Sequence, residues 1–323
     1  MLKRVVYFSS PAYLSVKLGQ LVVELKHPSD LPKIQMPKAI RYGKSEVAEE
    51  KIVEYQLNME DLGMIVLDHA QITLTQSILK KCAEYNILLL SCDDKHNPSL
   101  MGMSMEGHTL QSKRHRSQIL ANVPMKKQLW ASTVQNKIVN QAIIGSNDKV
   151  LYDRLIFLSK SVKSGDSSNV EGQAAAIYWD RIFTHLDKHF VRGRYDDAIN
   201  SFLNYGYAIL RATMAKAVVA SGLIPSLGIH HHNQYNAFCL VDDLMEPYRP
   251  MVDRLVLDLL DQGSMELDTE AKRQLLNIPY IDTDFDDIKS PLMVAVHRTA
   301  QSFVNCLEKK SKKILYPKPC LND

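Results

Sequence analysis

The sequence predicts an α+β chain: a small N-terminal β domain joined to a larger helical one. Two observations carry this. Before about residue 95 the apolar residues come in short β-branched and aromatic runs, and from about residue 109 they recur every three or four positions. Between the two lies DDKHNPSLMGMSMEGH, a polar, turn-rich, Met-rich stretch that reads as a connection. The expected boundaries are 1–95 for the β-rich part, 96–108 for a linker, 109–307 for the helical part and 308–323 for a basic tail.

In order along the chain, RVVYF, YLSVKLG and QLVVELK read as strands, punctuated by Pro11, Gly19 and Pro28. GMIVLD and ILLLSC are two more, and they flank a short helix, TQSILKKCAEYN, with Thr75 as its expected cap. This is not a run of regular βαβ units. No Gly-rich phosphate loop follows a strand, which argues against a nucleotide-binding fold. SQILANVPMKKQLWASTVQNKIVNQAII, KVLYDRLIFLSKSVKS, GQAAAIYWDRIFTHLDKHF and RYDDAINSFLNYGYAILRATMAKAVVASG then read as helices, the last with a glycine stop signal. In VDRLVLDLLDQG, residues Val252, Leu255, Val256, Leu259 and Leu260 form one apolar stripe, with Asp253, Arg254 and Asp258 expected to face away. The tail EKKSKKILYPKPCLND is basic and Pro-containing, and is expected to fray.

Composition narrows the class. The chain has 323 residues, 46% hydrophobic and 23% charged, enough for a conventional interior and too apolar for a disordered chain. Thirty-nine Lys and Arg against thirty-six Asp and Glu leave a net charge of +3, so a polyanion partner must be met by local patches. Five scattered cysteines without a close pair suggest a reduced, intracellular protein. Neither a signal peptide nor a spanning helix is visible, so the expectation is a cytoplasmic protein with no membrane partner.

Two polar clusters stand out against the apolar helices. In SGDSSNVEGQAAAIYW, Glu171 opens a helix of small apolar residues. Helix-start chemistry explains it, with Ser168 or Asn169 as cap; a site beside a closely approached helix is the alternative. In PSLGIHHHNQYNAFCLVDDLMEPYRP, His230, His231 and His232 form either an exposed polar loop or part of a site with Asp242, Asp243 and Glu246. Imidazole plus carboxylates suits Mg²⁺ or Mn²⁺ better than zinc, since no cysteine accompanies the histidines. Among the basic runs, Lys113, Arg114 and Arg116 are the best local candidates for DNA backbone contacts; Arg192, Arg194 and Lys309–Lys313 are weaker ones.

The segment LNYGYAILRATMAKAVVASGLIPSLGIHHHNQYNAFCLVDDLMEPYRPMVDRLV resembles the signature region of the CRISPR-associated adaptation integrases, metal-dependent DNA enzymes that insert new spacers into a repeat array. EGQAAAIYW resembles the family's first active-site motif, and GMIVLDHAQITLTQSILKKCAEYNILLLSCD its β domain. With GIHHHNQYN in place of a Gly-Arg-containing loop, the chain is most similar to the type II branch. The resemblance implies an N-terminal β-sandwich-like domain followed by a larger all-α catalytic domain. It implies Glu171, His231 (fourth in the GxxH element from Gly228) and Glu246 as catalytic ligands of Mg²⁺ or Mn²⁺, with Asp243, Asn204, Arg211 and Arg249 in support. It further implies a homodimer acting on double-stranded DNA (prespacer and repeat array) with a small ferredoxin-like adaptation protein. The type II effector nuclease and a ring-forming accessory protein are further implied partners. The implied reaction is attack of a prespacer 3′-hydroxyl on a phosphodiester at the repeat boundary; water in its place gives an endonuclease. A non-catalytic DNA-binding scaffold of the same fold, or a general metal-dependent phosphodiesterase on branched DNA or RNA, are the competing readings.

Overall fold

A computed structural model describes residues 3–25, 33–35, 53–193 and 197–320. Pro28 and Arg194 lie outside the described residues. The chain divides into two compact units, residues 1–107 and 108–323.

The described residues of the first unit form two sheets. One has the order β4-β1-β6-β8-β9, from β1 (Arg4–Phe8), β4 (Lys33–Gln35), β6 (Leu62–Leu67), β8 (Leu88–Cys92) and β9 (Pro98–Gly102). The other has the order β5-β3-β2-β7, from β2 (Ala12–Lys17), β3 (Gln20–Leu25), β5 (Val53–Asn58) and β7 (Ile72–Leu74). Alternate residues from both sheets (Val6, Phe8, Ile65 and Leu89 from the first, Leu14, Leu21 and Val23 from the second) share one core, as in a β-sandwich. Strand β6 is parallel to both of its neighbours, β1 and β8, and is buried along its whole length, which is why LGMIVL reads as a continuous apolar run. Helix α1 (Gln76–Glu84) makes the crossover between β6 and β8, burying Ile78 and Cys82. Thr75 holds the extended cap position, but its hydroxyl pairs with Ser77 Oγ at 2.7 Å and caps no backbone amide.

The expected linker begins with a strand. Residues 98–102 pair antiparallel with β8 across a tight turn in which Asp93 Oδ1 accepts from the amides of Lys95 and Asn97. The composition concealed it because β9 is an edge: Pro98 opens it, and at Gly102 a Cβ would come within 3.3 Å of Leu89 Cβ.

The second unit is helical: α2 (Gln111–Ile119), α3 (Val123–Ile144), α4 (Lys149–Ser161), α5 (Val170–Ile182), α6 (Ala198–Ala220), α7 (Cys239–Met245), α8 (Arg249–Asp261), α9 (Thr269–Leu275) and α10 (Leu292–Leu307). The stretch read as one helix over 117–144 is two, divided where Asn122 accepts from the Met125 amide at 2.9 Å with Pro124 in the first turn. Helices α3 and α6 are central, and α8 packs on both. Gly206 on α6 permits this, because a Cβ there would sit 2.6 Å from Val252 Cγ1. Packing on two sides also buries Asp253, which a single apolar stripe had placed facing away.

Two further features depart from the sequence reading. A three-stranded sheet, β11-β10-β12, interrupts the helices, with β10 (Asp282–Phe285) and β11 (Ile288–Pro291) joined through Asp286 and Asp287 at φ 50° and 67°. DTDF and IKSP are too short and polar to announce strands. The tail does not fray over its described part. Ile314 is buried, Tyr316 OH meets Thr133 Oγ1 at 2.8 Å, and β12 (Lys318–Pro319) pairs with β10. Among the described residues no helix is long and apolar enough to cross a membrane.

Candidate metal centre

Glu171 is released from capping its own helix. Asp166 accepts from the amides of Val170 (2.8 Å) and Glu171 (3.0 Å), and Asn169 accepts from Gly172 (3.2 Å). These donors are satisfied by other side chains, and Glu171 Oε1 accepts from Lys137 Nζ at 2.6 Å.

Glu246 arrives from a single turn of 3₁₀-helix between α7 and α8, created where Pro247 and Pro250 interrupt regular helix. Its carboxylate is buried at 6% exposure. Oε1 accepts from Arg249 Nε at 2.9 Å, and Oε2 lies 2.6 Å from Lys137 Nζ as an ion pair without hydrogen-bond alignment. Burial works to raise the Glu246 pKa, but the Arg249 and Lys137 cations outweigh it and hold the group at about 2. Burial likewise opposes charge on Lys137, yet Glu246 and Glu171 keep its pKa above the ordinary lysine value.

The histidine loop is organised by Asp243, which has 0% exposure. Its Oδ2 accepts from the amides of Ile229 (2.6 Å) and His230 (2.8 Å); its Oδ1 accepts from the His231 amide (3.2 Å) and meets His231 Nδ1 at 2.5 Å. The loop can wrap this tightly only because position 228 is glycine: a Cβ there would lie 2.2 Å from the His231 carbonyl and 2.8 Å from Asp243 Oδ2. The hydrogen bond to Asp243 raises the His231 pKa, against the effect of burial, and assigns the proton to Nδ1. Nε2 then keeps its lone pair for a ligand. The neighbouring histidines do other work. His230 stacks on Trp130 at 4.3 Å and 4°, and His232 Nδ1 meets the His230 carbonyl at 2.9 Å.

The structure thus brings Glu171 and Glu246 to one point, with His231 held beside Asp243. Among the described residues no three His, Cys, Asp or Glu side chains stand at metal-ligating spacing, and the Lys137 ammonium lies 2.6 Å from an oxygen of each glutamate. Lys137 escaped the sequence reading, and only the structure shows why it belongs to the site. Its helical neighbours Thr133, Val134, Asn140 and Gln141 are all buried, and a lysine on such a face must find carboxylates.

The supporting residues divide. Arg249 contacts Glu246 directly and lies over the Tyr207 ring at 4.6 Å. Arg211 grips Asp242 with two bonds, 2.7 and 2.9 Å, and Asn236 adds a third at 2.7 Å. Asn204 is turned to a different partner: its Oδ1 accepts from Arg192 at 2.9 Å. Of the basic run, Lys113 and Arg116 are exposed, whereas Arg114 is buried and donates to the Ser221 carbonyl at 2.8 Å. Arg114 is therefore a brace at the C-terminal end of α6, correcting its assignment to the DNA surface. A cavity of about 700 Å³ opens beside the centre, lined by Lys126, Lys127, Trp130 and His230–His232 among others.

The family model for CRISPR associated protein Cas1 matches residues 39–278. The chain belongs to the Cas1 family. It is 32% identical over 264 residues to a CRISPR-associated endonuclease Cas1 of Neisseria meningitidis serogroup C, covering 80% of this chain and 86% of that one. A Cas1 endonuclease of Francisella tularensis subsp. novicida is 38% identical over 133 residues, 38% of this chain and 42% of that one. The fold is similar to a casposase bound to integration product (TM-score 0.74, 19% identity, covering 100% of this chain and 95% of that chain). It is also similar to a Cas1 protein from Thermotoga maritima (TM-score 0.69, 15% identity, 99% and 100%). Membership of the Cas1 family makes the chain a DNA-acting, metal-dependent nuclease/integrase in general class.

The residues present fit such a metal. Glu171 and Glu246 already share one cation, each at 2.6 Å, and Glu246 Oε2 is buried without a hydrogen-bond partner. His231 presents the ring nitrogen opposite the one that a carboxylate fixes, the arrangement expected of a ligating histidine.

Proposed function

We propose that this Cas1-family chain is the strand-transfer enzyme of type II CRISPR adaptation, joining prespacer 3′-hydroxyl ends to phosphodiesters at the repeat boundary. The observation that carries it is the meeting of Glu171 and Glu246, 75 positions apart, at a single cation, with the His231 imidazole tied to Asp243 and within the electrostatic reach of both glutamates. Glu171, Glu246 and His231 Nε2 would hold Mg²⁺ or Mn²⁺, the latter more tolerant of nitrogen. A bound divalent ion supplies charge stabilisation at the phosphoryl oxygens and a lowered pKa for the attacking hydroxyl. Asp243 fixes the His231 ring, and Arg249 keeps Glu246 ionised and oriented. Lys126 and Lys127 beside the cavity offer charge to the DNA backbone, which positions the strand without reading sequence.

The reading carries a homodimer and a small ferredoxin-like adaptation protein as partners, in the cytoplasm. The type II effector nuclease and a ring-forming accessory protein complete the expected set. A chain of similar fold comes from a Cas6-RT-Cas1–Cas2 complex (TM-score 0.71, 17% identity), which supports a Cas2-like partner.

The test is a strand-transfer assay with labelled prespacer, repeat-containing target, the small partner and Mn²⁺ or Mg²⁺. Glu171→Ala, His231→Ala and Glu246→Ala should each lower joining by about 100-fold or more while retaining most duplex binding measured without divalent ions. Parental joining by purified Glu246→Ala protein would show the site to be wrong. Hydrolysis without joining on any repeat target would favour a general phosphodiesterase.

A further inference from the structure

Lys137 is the least expected member of the centre. It sits on α3 with its neighbours one turn away on either side buried, so the backbone directs its side chain inward. The side chain is 12% exposed, and its ammonium is 2.6 Å from both Glu171 Oε1 and Glu246 Oε2. Arg249 takes the other Glu246 oxygen. Two carboxylates thereby face two fixed cations, and the pair that would otherwise repel itself is neutralised by the chain's own side chains. A divalent ion bridging the same glutamates would need the space that the ammonium fills. Holding such an ion would require Nζ to move aside, while the buried stem would keep that charge close. An ammonium displaced by a short distance repels the ion unless an anion comes between or beside them. A DNA phosphodiester is such an anion.

We propose that Lys137 is the built-in counter-ion of the centre and couples divalent-ion binding to phosphodiester binding. With no DNA present the ammonium competes for Glu171 and Glu246, and divalent ions bind weakly. With DNA seated, the displaced ammonium pairs with phosphate and the ion binds more tightly. By linkage the ion strengthens DNA binding by the same factor. This inference rests on the metal-centre reading above and adds to it the residue that makes occupancy depend on substrate.

The measurement is Mn²⁺ binding, followed by loss of the free-ion electron paramagnetic resonance signal, on the full chain with and without a short DNA duplex. For the parent, the duplex should tighten Mn²⁺ binding by about tenfold. Lys137→Met should bind Mn²⁺ about tenfold tighter than the parent without DNA, and the duplex should add little. Lys137→Arg, which keeps the charge, should retain the parental coupling. Thermal melting in excess Mn²⁺ checks that Lys137→Met is folded, and Lys137→Gln replaces it if it is not. If the methionine variant binds Mn²⁺ no tighter than the parent, or still gains the full tightening from DNA, the inference is overturned. Glu246→Gln separates this from the underlying reading: loss of Mn²⁺ by that variant with unchanged affinity in Lys137→Met overturns the counter-ion role alone. Mn²⁺ binding that survives Glu246→Gln, or is absent from every variant, overturns both.

Discussion

Glu246 and Asp253 lie seven residues apart, and both are almost completely buried, at 6% and 1% exposure. Their charge states are nevertheless driven in opposite directions. Glu246 faces Arg249 and Lys137 and is held at about 2. Asp253 faces hydroxyls, Tyr207 OH at 2.5 Å and Tyr178 OH at 3.1 Å, and desolvation raises it to about 7 despite those hydrogen bonds. Burial alone therefore says little about whether a carboxylate is charged; its partners decide. Cations make Glu246 a permanent anion suited to a metal, while phenols make Asp253 a structural clasp between α5, α6 and α8.

The largest effect should come from breaking the cationic side. Arg249→Ala strands an ionised, buried Glu246 on one oxygen and should cost about 3–5 kcal/mol of stability in metal-free buffer, measured by urea denaturation. Mn²⁺ should restore part of the loss, because an ion held by Glu246 replaces the missing charge. A variant as stable as its parent would mean that Lys137 alone suffices, and would weaken the contrast with Asp253.

Opposite pKa shifts also require opposite pH dependence. Glu246 is depressed in the folded chain, so its stabilising contribution is present above the unfolded pKa and fades as pH falls toward 2. Asp253 is raised, so the folded state binds the extra proton between about pH 4 and about 7, and stability falls as pH rises through that window. Asp253→Asn removes the titration. The stability of Asp253→Asn relative to its parent should therefore improve between pH 5 and pH 8, by about 3 kcal/mol at most. Thermal melts at the two pH values decide it, and a pH-independent difference would mean that Asp253 is ionised throughout. Joining activity of Asp253→Asn at pH 7 should stay within about threefold of the parent, in contrast to the loss at Glu246.

This contrast also marks what the sequence could reveal. The two-unit architecture was legible because short β-branched and aromatic runs give way to a helical period, and Glu171, Glu246 and the run of three histidines stood in polar clusters among apolar helices. Asp253 was misread because a one-stripe pattern assumes one packing face, whereas α8 packs against α3 and α6 together. Lys137 was passed over because lysines on helices are normally solvated, and only the burial of its turn neighbours reveals otherwise. Strands β9 and β12 went unseen for a related reason: edge and two-residue strands owe their form to a partner across the sheet more than to their own pattern.

A smaller effect separates the two phenols. Tyr207 makes the shorter bond to Asp253 and carries Arg249 and Arg192 over its ring, at 4.6 and 5.2 Å. Tyr178 makes the longer bond, at 3.1 Å. Tyr207→Phe should cost about 2 kcal/mol and Tyr178→Phe about 1 kcal/mol, since each removes one hydrogen bond to a buried carboxyl group. Equal losses would imply that the shorter bond of Tyr207 is no stronger than the longer bond of Tyr178.

The smallest stability effect tests the same rule on the cationic residues of α2. Arg114 and Arg116 are two positions apart, but Arg114 is buried against the Ser221 carbonyl and Arg116 is exposed. Arg114→Ala should lower stability by about 1–3 kcal/mol by leaving the carbonyl unpaired, with no change in the salt dependence of DNA binding. Replacing Lys113 and Arg116 together by Ala should change stability by no more than about 0.5 kcal/mol and reduce the slope of log affinity against log salt by about 2. Filter binding over a salt series on unrelated duplexes, beside urea melts of the same samples, reads both quantities. A salt slope that drops in the Arg114 variant while its stability holds would return that guanidinium to the DNA surface. An unchanged slope in the double variant would remove α2 from that surface altogether, leaving Lys126 and Lys127 at the cavity as the nearer source of phosphate contacts.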